Sequence, residues 1–164
     1  MKMRTWIFRM PARFNARLGR GGQALAETAI IMPVLLLMIV GIIEMSSAWR
    51  TYQVLTNAAR EGARVALLPT ATLAEVTARV NASVRAGGLD PEGPNFSFTA
   101  ECLNGETVIA PVCGESSTGT DARISVAFDY TFRLLQPVAN LACGGGCGSF
   151  GTITIGSSSI MRNE

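Results

Sequence analysis

The sequence has no histidine, and its single lysine is Lys2. The first absence removes the usual general base and most nucleophile relays. The second leaves a Ser–Lys arrangement without a lysine outside the first twenty residues. Gly144-Gly145-Gly146 is not followed by Lys-Ser or Lys-Thr, so it is no phosphate loop. Acids are present, but nothing in the spacing brings a pair together. The expectation is no enzyme, no cofactor and no metal. Charge is sparse at 16% of residues, and before Gly21 there is no acid at all.

What is there instead is a long apolar run. The stretch Gly21 to Ala48, GGQALAETAIIMPVLLLMIVGIIEMSSA, carries no charge between Thr28 and Ile43. With its flanks it reaches the roughly 20 residues needed to cross about 30 Å of hydrocarbon. Glu27 and Glu44 lie near its ends, where a charge costs less than at a bilayer centre. Pro33 lies inside it, which membrane helices tolerate better than soluble ones. A buried core helix is the competing reading, but such helices rarely stay apolar all round for this length. A cleaved signal peptide is another; the run is long for one, and Ser46-Ser47-Ala48 is the nearest cleavage site.

Lys2, Arg4, Arg9, Arg13, Arg17 and Arg20 precede the run. Such charge stays in the cytoplasm, which puts the chain after Ala48 outside. Beyond Ala48 there are eight basic and ten acidic residues, so the net charge of +2 is a topology signal and no nucleic-acid footprint. The first twenty residues intersperse Trp6, Ile7, Phe8, Met10, Phe14 and Leu18 with arginine, which suits either an amphipathic surface helix broken at Pro11 or a disordered basic tail.

After the run, Trp49, Tyr52, Leu55, Ala59, Gly62 or Ala63, and Ala66 recur at helical spacing. The membrane helix therefore continues outward, and from Leu25 to Leu68 it would be about 65 Å long. Trp49 and Tyr52 read as an aromatic belt at the membrane interface, with Glu44 beside them. The small residues of Asn57-Ala58-Ala59-Arg60-Glu61-Gly62-Ala63-Arg64 make either a surface for a partner helix or, by preference, the seat of a globular domain. Pro69 ends the helix. Thr72 and Glu75 form a capping box that opens a second helix, with Leu73, Val76, Val80 and Val84 as one apolar stripe and Gly87-Gly88 as the stop. Strand signals follow at Phe96 to Thr99, Thr107 to Ile109, Arg123 to Leu134, and Thr152 to Ile155 with Ser159 to Met161. The fold class expected is α+β and pilin-like. A long N-terminal transmembrane helix runs into a small exported domain with a second helix and an antiparallel sheet of three or four strands. The boundaries are a basic cytoplasmic leader over 1–22, a transmembrane helix over 23–48 and an exported domain over 49–164, whose roughly 110 residues suffice for one modest core.

Cys102, Cys113, Cys143 and Cys147 all lie beyond the membrane run. An even count in an oxidising compartment favours disulfides. Three connectivities are open, and the local one pairs Cys102 with Cys113 and Cys143 with Cys147. Zinc is the rival, but the spacings lack the common paired CxxC pattern.

A further signal lies at the start of the run. Gly22 follows a basic leader and precedes Gln23-Ala24-Leu25-Ala26-Glu27, which resembles the processing site of type IV pilins and pseudopilins. The wider stretch 21–64, with Pro33, Gly41-Ile42-Ile43-Glu44 and Asn57-Ala58-Ala59-Arg60-Glu61-Gly62-Ala63-Arg64, resembles the TadE-like domain of Tad (tight adherence, Flp pilus) systems. Thr28 stands where members often carry an aromatic residue. The resemblance implies cleavage between Gly22 and Gln23 by a prepilin-type peptidase, and an assembly role for Glu27 on the free amine of a neighbouring subunit. The alternative for Glu27 is a place at headgroup depth, near a helix N-terminus whose dipole favours an acid. The function implied is a minor pilin-like pseudopilin of a Tad-type pilus assembly or secretion apparatus. It would sit in the bacterial inner membrane as a single-pass protein among membrane lipid and other pilus or secretion subunits. An uncleaved membrane-anchored envelope binding module is the alternative, and neither involves nucleic acid.

Overall fold

The computed structural model describes residues 20–113, 119–142 and 151–163. Leucine, isoleucine, methionine and alanine dominate the run from Arg20, and these favour a helix wherever no glycine or proline cluster interrupts. The result is α1, Arg20–Ala66, 47 residues with Pro33 inside. It stops before the expected Leu68. Proline disfavours helical backbone in the residue before it, so the chain leaves the helix ahead of Pro69 through a turn in which the Leu68 N–H donates to Val65 O at 3.0 Å.

Contacts divide the chain into two units, Met1–Leu36 and Leu37–Glu164. Of the first, the described part is the opening of α1. Its large apolar side chains, from Leu25 to Leu36, are exposed. The second unit holds everything else.

Within the second unit α1 lays down a stripe of buried residues at three- and four-residue steps: Glu44, Ala48, Thr51, Leu55, Ala58, Ala59, Gly62, Ala63 and Ala66. This is one face of a helix. Small side chains let other elements approach closely. A Cβ on Gly62 would stand 2.6 Å from Val80 Cγ2 and 3.3 Å from Ile124 Cγ2. The 57–64 motif is thus the seat of the domain.

The helix α2, Leu73–Ala86, opens on the expected capping box, with Glu75 N donating to Thr72 Oγ1 and Thr72 N donating to Glu75 Oε2. Val76, Val80 and Val84 are buried, whereas Leu73, in the first turn, is exposed. Gly87 caps the end, where a Cβ would meet Val54 Cγ1 at 2.3 Å. Only glycine fits there, because α1 passes that close.

Four strands follow: β1 Phe96–Asn104, β2 Thr107–Ala110, β3 Asp121–Thr131 and β4 Thr152–Arg162. They form one antiparallel sheet in the order β2-β1-β3-β4. β3 is central, running from Phe96↔Phe128 to Leu103↔Asp121 on one side and from Thr131↔Thr152 to Asp121↔Arg162 on the other. Its alternation buries Ala122, Ile124 and Val126. These join Cys102, Cys113, Leu55, the small residues of α1 and the three valines of α2 in a single core. β3 stops at Thr131 rather than Leu134. The chain turns there into a short helix with no counterpart among the expected elements, α3, Leu135–Ala142.

Candidate functional site

The first unit carries the residues of the expected processing site. Gly22 and Gln23 lie at the start of α1, and the Gln23 side-chain amide donates to Glu27 Oε1 at 3.3 Å. That (i, i+4) pair is what helical spacing allows. Glu27 is exposed among exposed apolar neighbours. The helix is long and apolar enough to cross a membrane.

In the second unit lie Glu44, Trp49 and Tyr52, the residues expected at the membrane interface. The rings of Trp49 and Tyr52 do meet, with centroids 5.6 Å apart, and they are 59% and 40% exposed. Glu44 lies on the other face, only 3% exposed. Its Oε1 accepts the Arg133 N–H at 2.6 Å and the Tyr130 hydroxyl at 3.4 Å, and its Oε2 accepts the Leu134 N–H at 3.4 Å. A carboxylate leaving water needs such donors. The β3–α3 turn supplies them, because backbone amides that have just left the sheet ladder have no strand partner there. A sequence signal for this existed: Glu44 is in phase with Ala48, Thr51 and Leu55. Burial, and then the Glu44 carboxylate, push the Tyr130 phenol above its ordinary 10.0, while the Ser47 hydroxyl and Arg133 act the other way.

Next to this latch a cleft of about 540 Å³ opens between α1, the 87–95 loop and the end of β3. Arg50, Asp129 and Arg133 line it, and Arg50 donates to Gly87 O at 3.4 Å. Cys102 and Cys113 form a disulfide. Cys143 and Cys147 lie outside the described residues, as does the leader up to residue 19. The arrangement holds elements together; among the described residues no three His, Cys, Asp or Glu side chains gather as metal ligands.

The exposed apolar half of α1, Gly22-Gln23, Glu27 and the small-residue seat all fall in one stretch. Residues 22–64 match the TadE-like protein family. The TadE-like match starts at Gly22 and stops two residues before α1 ends. The matched stretch is 43 of the chain's 164 residues. No curated protein and no solved structure matches the chain.

Proposed function

We propose that this protein is a structural component, a minor pilin-like pseudopilin, of a Tad-type pilus assembly or secretion apparatus. The observation that carries the reading is the TadE-like match over a helix whose apolar root is exposed and whose outer half is the core of a folded domain. An exposed apolar root needs lipid or other helices around it. The basic leader sets the N-terminus in the cytoplasm of a bacterium and the α+β domain outside its inner membrane. A prepilin-type peptidase cuts between Gly22 and Gln23. Glu27, whose carboxylate is costly to desolvate alone, then pairs with the new amine of a neighbouring subunit. Partners are the other pilus or secretion subunits.

The test is the N-terminal sequence of the protein recovered from membranes. A start at Gln23 is expected, and Glu27→Ala is expected to abolish piliation or secretion. A start at Met1 would instead mean a retained anchor, and the cleft beside Glu44 would become the place to look for an envelope ligand. A start near Trp49 would mean ordinary secretion and would sink both readings.

A further inference from the structure

The last exposed apolar turn of α1 in the second unit, up to Ile43, is followed directly by Glu44, the first buried residue of the helix. Glu44 holds the backbone N–H groups of Arg133 and Leu134. The start of α3 is therefore tied to the level at which the apolar run ends, since Leu135 is one residue, about 3.8 Å, further on. From Leu134 to Ala142 there is no acidic or basic residue. Leu134 is 46% exposed, and Leu135 and Val138, three residues apart, are half-buried without being part of the domain core. On the polar side, the Gln136 side-chain amide donates to Asn140 Oδ1 at 3.1 Å. Trp49 and Tyr52, exposed on α1 within the next two turns, are side chains that settle at headgroup level.

We propose that Leu134 and α3 lie in the lipid–water interface of the outer leaflet, as a second, in-plane membrane contact of the exported domain. The proposal rests on the reading that α1 spans a bilayer. Eight residues without a basic face bind a membrane weakly alone. Here the Glu44 latch delivers them to the surface, so association is intramolecular and needs little intrinsic affinity. The occupant is the acyl and headgroup boundary of any bilayer, anionic or not, because α3 offers no charge.

The test uses the full chain in vesicles of phosphatidylcholine brominated high on the acyl chain, in a background where Trp6 and Trp49 are phenylalanine. Single tryptophans are placed by Val138→Trp, Leu134→Trp, Ile30→Trp inside the span, and Glu106→Trp at the β1–β2 turn. From Phe96 to that turn β1 climbs about 3.3 Å per residue away from the latch. Bromolipid is expected to quench Ile30→Trp strongly, Val138→Trp and Leu134→Trp by at least half as much, and Glu106→Trp not at all, with no change in high salt. If Val138→Trp and Leu134→Trp behave like Glu106→Trp while Ile30→Trp is quenched, the interfacial helix is wrong and the anchor stands. If Ile30→Trp is not quenched, the anchor fails and the interfacial helix falls with it.

Discussion

A carboxylate without water must find donors, and at Glu44 they come from residues 86 to 90 positions further along the chain. The bonds are unequal. The Arg133 N–H is close at 2.6 Å, while the Tyr130 hydroxyl is at 3.4 Å. Glu44→Ala would leave two backbone donors facing a gap and is expected to cost about 1–3 kcal/mol, against about 0.5–1.5 for Tyr130→Phe. Denaturant unfolding of the detergent-solubilised protein, followed by near-ultraviolet dichroism, gives both numbers, and the reverse order would refute the latch. Alkali separates them again. A phenol with a raised folded pKa contributes stability that is present below 10.0 and lost as pH rises through its folded value. The wild type should thus weaken above pH 10 more steeply than Tyr130→Phe.

Among the elements, the disulfide shows how a covalent bond and a core can coincide. Cys102 sits in β1 and Cys113 just past β2, and both sulfurs belong to the buried core. β2 has only four residues, and its apolar Val108 and Ile109 are exposed. The sheet edge is thus held by the bridge more than by packing. Replacing both cysteines by serine is expected to lower stability by about 2–3 kcal/mol, read as a lower denaturant midpoint. No change in midpoint would mean that β2 holds without it. Elements signalled by local chemistry were legible in advance: α2 from Thr72 and Glu75, β3 from its strict alternation, the seat from alanine and glycine at 57–64. Elements decided by distant contacts were not. α3 has no such signal: it is eight residues long, and its Pro137 sits in the first turn, where a missing N–H costs nothing. β4 read as two pieces because Gly156 and three serines interrupt its apolar pattern; its pairing with β3 carries them. The burial of Glu44 was half legible, since it is in phase with the buried stripe, but its partners lie in a turn that no local pattern announces.

At the scale of the whole molecule, α1 changes character at Glu44, where burial begins. Side chains before Glu44 face outward, and the stripe from Glu44 onward builds the domain, so α1 cannot be removed as a detachable anchor. Fragments make this quantitative. A chain beginning at Gly41 keeps the latch and the whole seat, and it should fold and unfold cooperatively. A chain beginning at Trp49 loses Glu44 and Ala48 but keeps Leu55 and the alanines. It should still fold, less stable by about the 1–3 kcal/mol of the latch. A chain beginning at Arg64 lacks Leu55, Ala58, Ala59, Gly62 and Ala63, against which Val80 and Ile124 pack. It should show no cooperative transition, because a sheet with one exposed apolar face has no core of its own. Cooperative folding of that shortest chain would show that the sheet and α2 suffice, and α1 would then be an anchor alone.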